Sequence, residues 1–332
     1  MKANAVVFTE PNTVAFQEAD CPDPGPDDAV VRLTHSWVSI GTEGSYLRGE
    51  RIAGDTAYRG GDDPWPFPIV LGYQAVGVVE AVGDKIDDLT PGETVFTVVG
   101  KVEEMYHAVG GHISPCICER DWILKLPPEP EPLAFSGMLL TQVGLNSATR
   151  VPVEKGDPAV VIGDGLVAQW AAQTLAWRGA KVVMVGMEDD RLALGERFAR
   201  ATTFNIRRDD WTAEVKKMFP GGLAVAVDAA GSRDATEKLI GLMRKRGNIV
   251  TTGFCGTDDM ISLQSLRDQE IAISAVSGHN AERMDQTLKL ITQGHLQTLP
   301  LITHHYPVQE APEVWRRIEA RSEPMLGVIF DW

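Results

Sequence analysis

Cysteine is scarce in this chain of 332 residues: Cys21, Cys116, Cys118 and Cys255 are scattered along it. Cys116 and Cys118 are spaced too tightly for the usual zinc pair, and no second pair follows. Free, reduced thiols are the expectation. Long apolar runs are missing as well. None approaches the roughly 18 residues of a membrane span, so no membrane partner is expected. The opening MKANAVVFTEP alternates like a strand and lacks the apolar core of a signal peptide, which points to the cytosol. Basic residues are outnumbered, 31 against 46 acidic, giving a formal net charge of -15. The acidic residues are spread out rather than blocked into a tail. They read as a soluble surface and argue against nucleic acid and anionic membranes.

What is present is a glycine turn in the right surroundings. Within residues 158–179 an apolar run, 159–162, meets Gly163-Asp164-Gly165-Leu166-Val167-Ala168 and then a helical pattern. The first glycine allows a tight turn, and the second lets backbone N–H groups approach a pyrophosphate. The small sixth residue lets the helix pack close to the strand. The anion would sit on the helix N-terminus, near Leu166 and Val167. A next strand, 180–185, follows at once. This context makes a dinucleotide site the expectation.

The length allows about two domains. Residues 1–125 read as short strands with turn signals, suggesting a small barrel or sandwich. Within them, residues 48–68 form a long polar segment carrying Tyr58, Trp65 and Phe67. A loop of that length suggests a lid or substrate wall, or else a decorated surface. From about 130, apolar strands at 159–162, 181–185, 224–228 and 248–252 alternate with helical stretches. The helical stretches are 133–147, 166–178, 190–200, 210–218 and 233–245. That alternation predicts an α/β doubly wound parallel sheet. Ligands bind at the carboxyl ends of such strands, so the turns at Ala230 and Gly253 should line the cofactor site. The tail, 301–307 and 325–331, returns to β and should complete the first domain.

Several motifs resemble the medium-chain dehydrogenase/reductase superfamily. They include Pro24-Gly25-Pro26-Asp27-Asp28, Gly41-Thr42-Glu43, Val70-Leu71-Gly72-Tyr73, Gly77-x-Val79-x-x-Val82-Gly83, Pro91-Gly92-Glu93-x-Val95, the glycine turn and Pro300-Leu301-Ile302-Thr303-His304. The resemblance implies a GroES-like β domain, 1–125 completed by about 300–332, and a Rossmann dinucleotide-binding domain, 126–299. It places the active site in the cleft between them, and it suggests a homodimer. Zinc-containing members carry a cysteine where Ile40 stands and His-Glu where Tyr73-Gln74 stand. Their third ligand position falls near Gly137-Met138, and the four-cysteine structural lobe is missing. No catalytic or structural zinc is therefore expected. Ser39-Ile40-Gly41-Thr42-Glu43 and Gly72-Tyr73 are similar to the bacteriochlorophyllide dehydrogenase branch, which implies alcohol or ketone chemistry on a small or larger cyclic substrate.

Without zinc, a side chain must serve the reacting oxygen. Tyr73 is the first candidate because it occupies a former ligand position; a packed tyrosine is the alternative. Thr42 stands where the family places a relay hydroxyl, or it caps the following helix. Glu43 is expected to be structural, pairing with an arginine. Tyr46 could face substrate one turn later. His107 or His112 could act as a base, while His304 and His305 read as surface or structural. His279 follows a late strand, in a loop with Ser277 and Gly278 that contacts the nicotinamide in relatives.

The cofactor is NAD(P)(H). The second strand ends at Gly186-Met187-Glu188-Asp189, with glycine where a ribose-binding carboxylate would stand. That leaves room for a 2′-phosphate, which Arg191, Arg207 or Arg208 could pair with. Glu188 and Asp189 oppose it. The balance leans slightly to NADP(H). Two other readings remain: a zinc-free enone or quinone double-bond reductase, and a non-catalytic dinucleotide-binding redox sensor.

Overall fold

The computed structural model describes residues 1–54, 56–254 and 261–332. It divides into two compact units, Met1–Leu139 with Thr298–Trp332, and Leu140–Gln297. Cys255 lies outside the described residues. Cys21, Cys116 and Cys118 are free and buried. No described helix is long and apolar enough to cross a membrane.

In the first unit, period-two alternation sets the strands. Lys2–Glu10 turns Ala3, Ala5 and Val7 into one core and Val6 and Phe8 into another. It pairs antiparallel with Thr13–Asp20, Ile69–Val70 and Ile113–Ser114. The larger sheet runs Ile123–Lys125, Thr94–Thr97, Ala75–Val82, Asp28–Val38, Gly327–Asp331, Ile302–Pro307, with Cys116–Glu119 also on Asp28–Val38. The returning strands Ile302–Pro307 and Gly327–Asp331 are parallel, as a crossover through the Ala311–Glu319 helix requires. That helix buries Ala311, Val314, Trp315 and Ile318, a helical stripe, and Trp315 meets Phe8 edge-on at 5.2 Å.

The second unit carries a six-stranded parallel sheet. Its order is Thr202–Asn205, Lys181–Gly186, Pro158–Ile162, Leu223–Asp228, Met243–Thr251, Ala272–Ala275. Both faces are covered, so the strands read as continuous apolar runs: Ala159 and Val161 enter one core, Val160 and Ile162 the other. Two helical expectations need correction. The stretch 133–147 is a 3-10 turn, Pro132–Phe135, then a helix from Met138 to Thr149. The break is at Gly137, where any side chain would run into the Trp37 ring at 2.7 Å. The stretch 233–245 stops at Ile240, and residues from Met243 onward are strand.

Candidate active site

In the second unit the parallel strands bring the predicted cofactor residues to one edge of the sheet. Gly163 closes the first strand with φ 113°, where only glycine is comfortable. Gly165 is the N-cap of the Leu166–Trp177 helix, and no side chain caps it. A Cβ added at Gly165 would meet nothing within 4 Å, so the approach to this helix end is open. Leu166 and Val167 form its first turn, which fits a pyrophosphate. Ala230, Gly253, Ser277 and Gly278 follow later strands at the same edge. The Asp228 carboxylate accepts from the Ala230, Gly231 and Ser232 N–H groups and from the Thr236 hydroxyl, which holds that turn closed. The Gly278 carbonyl accepts from Gln142 and Arg283. His279, beside it, is held below its ordinary pKa by burial and then by Arg283. A surface depression lined by Phe219, Leu242 and Arg244 opens at the opposite, amino edge.

The space over Gly186 is not vacant. A Cβ there would lie 2.6 Å from the Asp164 side chain. Asp164 Oδ2 accepts from the N–H groups of Met187, at 2.6 Å, and Glu188, at 2.9 Å. Its Oδ1 takes Arg191 Nη1 at 3.3 Å. Arg207 pairs with Glu188 and Arg208 with Asp189. The opening expected at Gly186 is thus filled by a carboxylate from the glycine turn itself.

In the first unit, the Ile40–Leu47 helix carries Thr42, Glu43 and Tyr46, with Ser39 as its N-cap. Glu43 reaches back so that the Ser39 N–H donates to its Oε1 at 2.8 Å, a variant of the capping box. Thr42 thus lies inside the helix rather than at its N-cap, and Glu43 satisfies the N–H of the N-cap residue. The Ser39 hydroxyl makes no cap bond. It accepts instead from the Tyr73 hydroxyl at 2.5 Å, and the Thr42 side chain is a further partner of that hydroxyl. Burial first, and then the Glu43 carboxylate, push the Tyr73 pKa well up, so it stays a neutral phenol near pH 7.

Glu43 does not take the expected arginine. It is 1 % exposed, and its Oε2 lies 2.9 Å from His112 Nε2. His112 Nδ1 lies 2.8 Å from the Ser36 hydroxyl, which accepts from the Trp332 indole N–H at 2.9 Å. With Glu43 as carboxylate, Nε2 carries the His112 proton and Ser36 donates to Nδ1. His112 is wholly buried with both ring nitrogens engaged. A base there has no free nitrogen, so the expectation of His112 as a catalytic base meets a structural ring instead. Gly72 explains its placement: its φ is +87°, and a Cβ would lie 2.7 Å from the His112 ring.

The Tyr46 ring is buried and its hydroxyl donates to the Gly54 carbonyl at 3.3 Å. His107 sits between Tyr46 and Tyr106, its pKa lowered by burial. Along the long segment, Tyr58 meets Trp65 edge-on and Trp65 meets Phe67 at a tilt, with Trp65 51 % exposed and Phe67 buried. His304 stacks on Tyr306, and His305 meets Asp331. Cys116 and Cys118 touch through their sulfurs at 3.1 Å. That contact and burial raise the Cys118 pKa, which marks an inert thiol.

Residues 42–128 match the family model for the alcohol dehydrogenase GroES-like domain, and residues 167–293 match that for the zinc-binding dehydrogenase. The chain belongs to the medium-chain dehydrogenase/reductase superfamily. A relative spanning its whole length is 2-desacetyl-2-hydroxyethyl bacteriochlorophyllide A dehydrogenase of Cereibacter sphaeroides, 26 % identical over 100 % of this chain and 99 % of that protein. An alcohol dehydrogenase of Cupriavidus necator is 23 % identical over 92 % of each. Among solved structures, the 2R,3R-butanediol dehydrogenase of Bacillus subtilis covers 99 % of each chain with a TM-score of 0.86 at 17 % identity. As a medium-chain dehydrogenase/reductase the chain is an NAD(P)-dependent oxidoreductase.

The matching family carries zinc in its name, and this donor set does not fit that metal. Ile40 and Gly137-Met138 offer no thiolate, imidazole or carboxylate. Tyr73 is a neutral phenol bonded to Ser39, and Gln74 is buried with its amide toward the Trp37 carbonyl. Among the described residues, no group of three or more His, Cys, Asp or Glu is placed to hold a metal ion.

Proposed function

We propose that the protein interconverts a secondary alcohol and its ketone without zinc, with the Tyr73 hydroxyl as the group that hydrogen-bonds and protonates the substrate oxygen. The observation that carries this is the short Tyr73–Ser39 bond at a position the superfamily gives to a metal ligand. NAD(P)H, when bound, supplies or accepts the hydride. The chain's own residues do the rest. The open helix end after Gly163 and Gly165, with Leu166 and Val167, would hold the pyrophosphate. Gly186, Met187, Arg191 and Arg207 would surround the adenosine ribose, and Ala230, Gly253, Ser277 and Gly278 would line the remaining edge. Tyr73, kept protonated, is set to donate; the Thr42 hydroxyl beside it would carry the proton onward. Tyr46 would form a wall of the substrate site, and His112 would position Glu43 rather than touch substrate. The exposed Trp65 ring beside Tyr58 supports a larger cyclic substrate.

Arg191 and Arg207 support a lean to NADP(H), provided they exchange Asp164 and Glu188 for a 2′-phosphate. The resemblance supports a cytosolic homodimer, which light scattering on the purified protein would test. The deciding experiment is turnover of 1-phenylethanol, acetophenone and cyclohexenone with each cofactor, by wild type and Tyr73→Phe. Alcohol or ketone turnover that falls ~10²–10⁴-fold in the variant is expected. Turnover of the enone alone would replace this reading with the double-bond reductase. Cofactor binding with no turnover would favour the redox sensor.

A further inference from the structure

A chain of buried hydrogen bonds starts at the Tyr73 hydroxyl, and its first member, Ser39, sits there at a cost to its own helix. Ser39 is the N-cap of Ile40–Leu47, a position where a serine hydroxyl ordinarily accepts from the helix amides. Here it makes no such bond and accepts from Tyr73 instead. Forgoing a serine cap destabilises a helix. Glu43 makes up part of that by accepting from the Ser39 N–H. Glu43 is in turn fixed by His112, His112 by Ser36, and Ser36 by the indole of Trp332. Every link is within hydrogen-bond distance, and Ser39, Glu43, His112 and Ser36 are all nearly or wholly buried. With its backbone N–H held by this chain, Ser39 presents its Oγ to Tyr73 from a fixed place.

We infer that Ser39 is a positioning residue for the proposed reaction, acting through Tyr73: its Oγ pins the phenol, and the Glu43–His112–Ser36–Trp332 chain locks Ser39 in place. In the resting enzyme the Tyr73 O–H donates to Ser39. When a substrate oxygen takes that donation, the Ser39 hydroxyl turns and donates to the Tyr73 oxygen, stabilising the charge that grows there as the proton leaves. The phenol O–H bond breaks as the substrate O–H bond forms, and the hydride that makes the substrate oxygen basic would come from the nicotinamide of the proposed reaction. Among the described residues, the charged groups facing the phenol are Glu43 from the Ile40–Leu47 helix and Arg51 from the strand that follows it. Glu43 raises the energy of a phenolate and Arg51 lowers it, so the direct hydrogen bond from Ser39 carries the fine adjustment.

This rests on the assignment of Tyr73 above, and a double-mutant cycle separates the two. Ser39→Ala, Tyr73→Phe and the double variant are compared for kcat and KM, with Ser39→Thr as the conservative variant and thermal midpoints confirming the fold. The expected result is a ~10–100-fold fall in kcat for Ser39→Ala, with KM for the cofactor unchanged, and less than about twofold further loss when Ser39→Ala is added to Tyr73→Phe. Ser39→Thr, which keeps a hydroxyl, should recover activity to within about threefold of wild type. An equal fold-loss from Ser39→Ala in both backgrounds would overturn the inference. A substrate-free readout accompanies it: the carbon-13 resonance of the Tyr73 Cζ, assigned through Tyr73→Phe, should shift in Ser39→Ala and hold in Ser39→Thr. An unmoved resonance in Ser39→Ala overturns the positioning role. If Tyr73→Phe keeps full activity, the functional reading falls instead, and the resonance alone decides whether Ser39 sets the phenol.

Discussion

The Asp164 carboxylate lies where a side chain at residue 186 would begin, 2.6 Å from the Cβ that Gly186 lacks. The glycine is required by that close approach, since any larger residue would strike Asp164. Two backbone N–H groups and Arg191 converge on the same carboxylate. The strand end therefore carries a negative charge, supplied from the first turn rather than from the second strand. Replacing Asp164 by Ala removes that charge and releases Arg191. The expected outcome is a ratio of NADPH to NADH affinity raised ~tenfold or more, read as Kd by nicotinamide fluorescence. An unchanged ratio would show that the ribose end is recognised elsewhere.

Gly72 should tolerate no side chain. At φ +87° an alanine is strained, and its Cβ would press on the His112 ring at 2.7 Å. A loss of ~2–5 kcal/mol is expected for Gly72→Ala, combining left-handed strain with overpacking. Urea unfolding measures it; a loss under about 0.5 kcal/mol would mean that the turn relaxes freely.

Acid should destabilise the fold in two windows. Burial lowers the pKa of His35, His107 and His279 below the ordinary 6.5. The unfolded chain then binds their protons first as pH falls, so the stability they contribute is full above about 6.5 and is lost as pH drops through the lowered values. Asp189, held at about 2 by Arg208 and Asn205, and Glu270, held at about 2 by Arg246 and Lys245, add a second loss below about pH 4. These two are exposed, so screening keeps the second step small. Urea midpoints from about pH 8 to pH 3 check both. A midpoint that rises between about pH 7 and pH 5 would reverse the sign.

Purified protein should carry far less than one zinc per chain by elemental analysis. Its activity and thermal midpoint should survive an excess of 1,10-phenanthroline. Stoichiometric zinc, or activity lost with chelation and restored by the metal, would remove the case for Tyr73 as the oxygen's partner.

Local signals carry much of this molecule. The strand, glycine turn and helix at 158–177 are contiguous, so one period change exposes them. The alternating strands of the first unit announce themselves in the same way. Contact between distant positions is what stays hidden. Glu43 and His112 are 69 residues apart, and nothing around either one says that they meet. Gly137 must lack a side chain because the Trp37 ring lies against it, 100 residues away in sequence. Asp164 looks like a variable position within the glycine turn, while Gly186 looks like open space. The pairing itself is the signal, an acid inside the turn together with a glycine at the strand end. Ser39 reads as part of a motif, with no sign that its hydroxyl has left the helix.

The sheet of the first unit places Gly327–Asp331 directly beside Asp28–Val38. Between those two strands in sequence lies the whole second unit, one uninterrupted stretch from Leu140 to Gln297. On a ribosome, the second unit can therefore close while the first still waits for its returning strands. Until residue 332 emerges, the His35–Val38 end of that strand lacks its partner on this side, and Ser36 lacks the indole that anchors it. The order of synthesis thus leaves the Ser36–Trp332 link to close only after the second unit has been made.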